Sequence, residues 1–223
     1  MDSGSTTELI RESLVPLLWG LLKGTIPLTL ISFVLGLLLA LLIALMRLSP
    51  IALVAAPARF YVSVIRGTPL LVQLFIIYYG LPSIGATIDP FPSACLAFTL
   101  NVGGYASEVV RAAILSVPRG QWEAAYTVGM SYPTALRRIV LPQAMRVAVP
   151  PLSNTLISLV KDTSLASTIQ VTEVLRKAQE LAAPTYEFFT LYAVAAAYYW
   201  VICLALSFSQ ARLETRLDRY VAS

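Results

Sequence analysis

Long uncharged stretches alternate along this chain with shorter segments that carry its charges. Residues 26–46 contain no charged side chain, and neither do residues 188–209. A helix needs about 20 residues to cross the roughly 30 Å hydrocarbon core of a bilayer, and both stretches are that long. The pattern therefore predicts two membrane-spanning helices and not the buried core helices of a soluble domain.

Three further hydrophobic stretches each contain a few ionisable residues. One passes Arg66, a second contains Glu108 and Arg111, and a third has Lys161 and Asp162 near its middle. Such groups inside a membrane usually face a cavity or one another, so they are compatible with spans. We predict an all-α integral membrane protein with five transmembrane helices in a single domain. The predicted spans cover about residues 18–46, 58–81, 93–114, 148–171 and 188–209 of a domain over 1–223.

Composition agrees with a membrane protein and excludes several kinds of active site. Hydrophobic residues make up 57% of the chain and charged ones 13%, whereas soluble domains are about one-quarter charged. The chain has no histidine, which excludes a histidine-based triad or metal site. Cys95 and Cys203 lie in apolar stretches without metal-ligand spacing. We predict no catalytic site, metal or cofactor in this chain, and the net charge of +4 requires no nucleic-acid partner.

Lysine and arginine are unevenly divided between the two sides of the predicted membrane. Ten arginines fall on the side of the C-terminus and four basic residues on the other. Because cytoplasmic connections are enriched in these residues, we predict an external N-terminus and a cytoplasmic C-terminus. The ten are Arg47, Arg59, Arg66, Arg119, Arg137, Arg138, Arg146, Arg212, Arg216 and Arg219; the four are Arg11, Lys23, Arg176 and Lys177.

A polar amphipathic segment at residues 119–146 separates the third and fourth spans. Ser131 and Pro133 suit the start of a short helix that ends near Pro142. An earlier short helix is predicted from residues at helical spacing: Trp122, Ala125, Tyr126 and Gly129. Its small side chains would let another surface approach closely. A helix–turn–helix of this kind inserts into a cleft on a partner or rests on lipid, and the spacing alone fits both.

Residues 123–142 read EAAYTVGMSYPTALRRIVLP and resemble the EAA loop of ABC importer permeases at every defining position. The resemblance implies the ABC importer permease fold. It also implies that residues 119–146, called the coupling loop below, contain a cytoplasmic coupling helix that docks on an ATPase. The chain has no phosphate-binding loop of its own, so a separate subunit is expected to bind ATP and Mg and to hydrolyse ATP. The residues carried over from the motif are Glu123, Ala124, Ala125, Gly129, Ile139, Leu141 and Pro142.

Further segments resemble the polar-amino-acid branch of these permeases: RGTPLLVQLF at 66–75, NVGGYASEVVRAAI at 101–114 and LVKDTSLASTIQ at 159–170. Residues 44–51 and 77–94 look most like cystine permeases. The resemblance implies import of a polar amino acid, with cystine favoured over a basic amino acid or glutamine. It also implies a bacterial plasma membrane location, two ATPase subunits, a second permease subunit (expected to be another copy) and an external binding protein. The alternative is a secondary transporter driven by an ion gradient.

A free amino acid carries one carboxylate and one ammonium, and its pocket needs groups complementary to both. Arg66 or Lys161 can bind the carboxylate, and Glu108 or Asp162 the ammonium. The predicted substrate residues are Arg66, Gln73, Asn101, Tyr105, Glu108, Lys161, Asp162, Thr163 and Ser164.

Structural roles are the alternative for each of these polar residues. Glu108 and Arg111 are spaced for an ion pair on one helix, Lys161 and Asp162 can pair with another span, and Arg66 can end a helix. Gln73 and Asn101 can hydrogen-bond between helices.

Overall fold

The structure, a computed structural model, describes residues 3–218. Most of the described residues are helical, and none of them lies in a β-strand. Arg219, one of the predicted cytoplasmic cations, lies outside the described residues. The helices are α1 (Ser3–Gly20), α2 (Ile26–Leu48), α3 (Ala52–Gly67), α4 (Leu70–Phe75), α5 (Pro90–Ser116), α6 (Arg119–Thr127), α7 (Tyr132–Ala135), α8 (Leu141–Asp162), α9 (Val174–Thr185) and α10 (Phe188–Asp218).

Two stretches are long and apolar enough to cross a membrane, and a bent pair of helices qualifies as a third. The first, Thr6–Leu48, joins α1 and α2 through a π-helical turn at Leu21–Thr25. The second is Phe188–Arg216, so both stretches extend beyond their predicted bounds. At 1.5 Å per residue, α5 and α8 are about 40 and 33 Å long. Helix α5 contains the predicted third span, 93–114, whereas α8 covers the predicted fourth span, 148–171, only as far as Asp162.

The second predicted span is broken and not continuous. Ala52–Gly67 and Leu70–Ile84 meet at an angle of 108°, because Pro69 disfavours a helical conformation at the preceding residue. The buried Gln73 amide donates hydrogen bonds to the carbonyl oxygen of Ile65 (2.8 Å) and to Thr68 Oγ1 (2.9 Å). These bonds satisfy backbone and side-chain acceptors that the break leaves free.

Helix α5 lies at the centre of the main hydrophobic core, where it packs against α2, α3, α4 and α8. Close packing depends on Gly103 and Gly104, since a Cβ on either would collide with side chains of Leu39 or Ile65. Small residues at such contacts are typical of helices that associate in membranes.

The coupling loop differs from the prediction at its second helix. That helix begins after Ser131 as predicted, but it continues from Tyr132 through a π-helical segment (Leu136–Val140) into α8 and does not end near Pro142. Proline lacks the N–H that an α-helix would use there. The wider π turn just before Pro142 accommodates it within a continuous helix.

Candidate functional site

A cavity of about 430 Å³ opens between the start of α4, the middle of α5 and the second half of α8. A volume of this size is typical of small-molecule pockets. It brings together three predicted substrate residues, Asn101, Tyr105 and Asp162. Its remaining lining consists of Thr68, Pro69, Leu70, Val102, Pro151, Asn154, Thr155, Ser158 and Leu159.

The α5 wall of the cavity carries an aromatic ring and an amide. Tyr105 is exposed, and the Arg66 guanidinium lies 5.6 Å from the centre of its ring, a cation–π distance. Asn101 Nδ2 donates to Gln73 Oε1 over 3.1 Å, so the interhelical hydrogen bond given above as the alternative is present. Gln73 itself is buried at the helix break. Neither Arg66 nor Gln73 lines the cavity. Arg66 lies next to the lining residue Tyr105, a position that we call the rim, and Gln73 supports the wall through Asn101.

The α8 wall of the cavity is a polar face. Of its residues, the sequence analysis selected only Asp162, at the C-terminal end of the helix. Asn154, Ser158 and Asp162 are spaced at four-residue intervals and Thr155 lies beside them, so they share one side of the helix. The spacing is present in the sequence, but isolated neutral polar residues such as Asn154 and Ser158 do not by themselves indicate a binding face. Asp162 is half-buried and makes no ion pair with any described side chain. It is the one charged residue among the described residues that line the cavity.

Three predicted substrate residues next to Asp162 do not line the cavity. The side chain of Lys161 is exposed elsewhere on α8. Thr163 is fully buried, and its hydroxyl donates to the Val160 carbonyl oxygen over 2.7 Å. The Ser164 hydroxyl donates to the Lys161 carbonyl oxygen over 2.7 Å. These hydroxyls stabilise the short 3₁₀ helix at Thr163–Ile169, which follows α8 within the predicted fourth span.

Glu108 also lies outside the cavity, within an ion-pair cluster between α2 and α5. Its carboxylate pairs with Arg47 and, over 3.0 Å, with Arg111. The pair with Arg111 is the structural alternative stated for Glu108, whereas sequence reasoning placed Arg47 in a connection and missed its role. Two guanidinium groups on one carboxylate leave it little capacity for a ligand.

A second buried carboxylate was not predicted. Glu173 is fully buried before α9, and its side chain accepts hydrogen bonds from the backbone N–H groups of Leu175 (2.8 Å) and Arg176 (2.6 Å). It also accepts one from the Tyr199 hydroxyl on α10. Burial raises the pKa of Glu173 to about 7, although these hydrogen bonds oppose the shift. A Cβ at Gly20, the last residue of α1, would collide with the backbone of Glu173, so Glu173 lies where the first, ninth and tenth helices meet.

The exposed face of the coupling loop differs in part from the predicted one. Ala125 is buried against the protein itself and is not available to a partner, while Glu123 and Ala124 are exposed. Val128, which sequence reasoning did not select, is 71% exposed. Gly129 adopts φ +77°, and a Cβ there would meet nothing within 4 Å. The backbone conformation therefore favours glycine at this position, and no atom of this chain lies close enough to a Cβ to require it.

The remaining motif residues lie at the start of α8 or just before it. Ile139 and Leu141 are half-buried, and Pro142 is exposed. Trp122 stacks on Tyr132 with ring centres 5.4 Å apart and so joins α6 to α7. The motif thus fixes the position of α6 relative to α8.

Comparison with known proteins places this chain in a family. Residues 32–219 match the model of the binding-protein-dependent transport system inner membrane component. The chain is 56% identical to the L-cystine transport system permease protein TcyB of Bacillus subtilis, over 96% of this chain and 92% of TcyB. It is 42% identical to the octopine transport system permease protein OccM of Rhizobium radiobacter, over 93% of this chain and 86% of OccM.

A solved structure supports the same assignment. The crystal structure of an amino acid ABC transporter with histidines matches with a TM-score of 0.86 and 36% identity, over 97% of this chain and 99% of that chain. The chain therefore belongs to the family of binding-protein-dependent transport system inner membrane components: it is the permease subunit of an ABC importer, in which separate ATPase subunits hydrolyse ATP.

Proposed function

We propose that this permease forms the translocation pathway for a polar amino acid, with L-cystine favoured over a basic amino acid or glutamine. The observation that carries the proposal is the polar cavity between α4, α5 and α8, whose wall holds the unpaired carboxylate of Asp162. Cystine is favoured because the relative at 56% identity is named as an L-cystine permease.

The cavity offers groups for both charged ends of an amino acid. Asp162 is suited to bind the ammonium, and Arg66 at the rim is suited to bind the carboxylate. Each pair joins groups of opposite charge, which form strong charge-assisted hydrogen bonds. Asn154 Oδ1 accepts a hydrogen bond from Gln210 Nε2 over 3.1 Å, so the Asn154 N–H groups and the Ser158 hydroxyl remain for the rest of the substrate. Asn101 and Tyr105 shape the opposite wall, and Gln73 holds the helix break that presents Arg66. Glu108, Lys161, Thr163 and Ser164 have structural roles in this proposal.

The proposed assembly contains two copies of this chain, two ATPase subunits and an external binding protein, in the bacterial plasma membrane. Exposed aromatic residues at Tyr79, Tyr186 and Phe189 fall at predicted outer ends of spans, where interface belts occur. Together with the basic residues of the coupling loop and C-terminal tail, they support an external N-terminus and a cytoplasmic C-terminus.

The coupling surface proposed to dock on the ATPase is the exposed side of α6 and the turn after it. Glu123, Ala124 and Val128 form this side, and Gly129 sets the direction of the chain beyond it. ATP binding would move this surface, and α8 would transmit the motion to the cavity because it continues directly from the coupling loop.

The test is ATPase activity of the reconstituted importer, with and without substrate-loaded binding protein, for Gly129→Val and Gly129→Asn. A β-branched residue is strained at φ +77°, whereas asparagine tolerates this region. We expect Gly129→Val to lose most of the stimulation by binding protein and Gly129→Asn to keep most of it. Since a Cβ at this position would meet no atom of this chain within 4 Å, a clash at Cβ does not distinguish the two variants, and their difference reports backbone strain.

Two results would count against the proposal. Equal stimulation in both variants would show that the turn at Gly129 has no part in coupling. An isolated chain that accumulates amino acids along an ion gradient without any ATPase would favour the secondary-transporter alternative.

A further inference from the structure

We propose that one cystine molecule binds across two copies of this chain, each copy binding one half of the ligand. The inference rests on the proposed function, namely cystine import by a pair of identical permeases, and adds how the substrate is divided between them. It follows from the charges that one cavity provides and from the polarity of its open side.

The charges of one cavity match half a cystine. Cystine carries two ammonium and two carboxylate groups, whereas the cavity wall holds one carboxylate, Asp162, and its rim holds one guanidinium, Arg66. Glu108 cannot serve as a second carboxylate, because Arg47 and Arg111 already pair with it. A cystine bound by one copy alone would therefore leave one ammonium and one carboxylate without charged partners, which is costly away from water.

The open side of the cavity is unsuited to lipid. Tyr105, Asn154 and Ser158 are exposed there, and hydrocarbon cannot satisfy their hydrogen-bonding groups. This side must face water or protein. In a two-fold pair each copy presents the same surface to the other, so two such cavities joined at their open sides would supply two copies of Asp162 and Arg66.

The symmetry of the ligand matches the symmetry of this arrangement. The two halves of cystine are identical and are joined by the disulfide at their centre. A two-fold axis through that disulfide would place one ammonium near Asp162 and one carboxylate near Arg66 in each copy. An amino acid with a single ammonium and carboxylate would instead occupy each copy separately.

The first measurement is binding stoichiometry in the purified importer, by equilibrium dialysis with radiolabelled L-cystine and with S-methyl-L-cysteine, which has one amino-acid end. We expect one cystine per two permease chains and up to two S-methyl-L-cysteine molecules per two chains, the latter bound at least tenfold more weakly. Two cystine molecules per pair would overturn the inference.

The second measurement uses mixed importers with one wild-type and one Asp162→Asn permease, isolated with a different affinity tag on each copy. A site shared by both copies predicts that cystine uptake falls at least tenfold, whereas independent sites predict about half of wild-type uptake. Mixed importers with Glu180→Gln are the matched control, because this carboxylate lies on α9 and pairs with Arg176 and Lys177. They should transport at the wild-type rate.

Failure of this inference is distinguishable from failure of the proposed function. Cystine uptake with half activity in the mixed importer would overturn the shared site and leave the importer proposal intact. An importer that carries another amino acid but neither binds nor transports cystine would overturn the shared site together with the cystine assignment. A chain that pairs only with a different permease would also overturn the shared site.

Discussion

Two acidic residues of predicted spans, Glu108 and Asp162, have opposite surroundings. Glu108 lies in a cluster with Arg47 and Arg111, where two guanidinium groups neutralise it. Asp162 lies in the wall of a cavity and makes no ion pair with the described side chains. A carboxylate within a membrane protein is costly unless it is paired. The comparison indicates that Glu108 holds helices together, whereas Asp162 has its charge available for a ligand.

The largest expected effect is on transport by Asp162→Asn in both copies. Loss of the carboxylate that pairs with the substrate ammonium should cost about 4 kcal/mol, which is roughly 1,000-fold in affinity. We expect cystine uptake to be abolished while the importer assembles and its basal ATPase activity is retained. Substrate affinity is measured with the purified importer, because uptake alone does not separate binding from coupling. Unchanged affinity would mean that the substrate ammonium binds elsewhere and that Asp162, like Glu108, has no part in substrate binding.

The next effect is on stability, in Glu108→Gln. This change leaves two partly buried guanidinium groups without their anion, and breaking a buried pair costs about 3 kcal/mol or more. We expect a thermal unfolding midpoint several degrees lower, with substrate affinity unchanged. Glu108→Gln combined with Arg111→Gln should recover part of the lost stability, because it removes one of the unpaired charges. A normal midpoint together with reduced substrate affinity would reverse the roles of the two carboxylates.

The same contrast explains how much of the site was predictable from sequence. Helical spacing puts Asn101, Tyr105 and Glu108 on one side of α5, but side chains at i, i+4 and i+7 span two turns. The cavity reaches the first two, while Glu108 is at the level of Arg47 on α2. Which helix contacts which turn is a tertiary property, and one chain's spacing does not contain it. Asp162 was found because a charge inside an apolar stretch is conspicuous, whereas the neutral residues Asn154 and Ser158 were not.

The fold was predictable where local chemistry was decisive. Uncharged length located α2 and α10, and proline with serine located the start of α7. The prediction of a second span over 58–81 does not contain the break at Pro69, because it runs one helix through Arg66 and Pro69. Helix α9 was missed because its capping residue, Glu173, is a long acid whose role depends on Tyr199 of a distant helix. Ala125 was expected to face a partner, yet the protein covers it itself.

The smallest expected effect concerns Glu173, a carboxylate with fixed partners like Glu108 but without a cation. Its pKa in the folded protein is about 7, above the ordinary value of 4.5, so between these values the folded state keeps a proton that the unfolded chain has released. Stability should therefore fall as pH rises through this window, by about 2 kcal/mol between pH 5 and 6.5 at roughly 1.4 kcal/mol per pKa unit.

The measurement is the thermal unfolding midpoint in detergent between pH 4.5 and 7.5, for wild type, Glu173→Gln and Glu180→Gln. Glutamine at 173 loses one of the hydrogen bonds accepted from backbone N–H groups, so this variant should be less stable at pH 5 and vary less with pH. Glu180 is the matched control, because its hydrogen bond with Lys177 lowers its pKa. Its contribution to stability is therefore lost as pH falls, whereas that of Glu173 is lost as pH rises. Glu180→Gln should keep the decline toward neutral pH. A wild-type midpoint that rises steadily from pH 5 to 7 would mean that the Glu173 carboxylate is stable as an anion, held by its N–H and Tyr199 donors. A fixed set of hydrogen bonds would then stabilise a buried carboxylate as the two arginines stabilise Glu108.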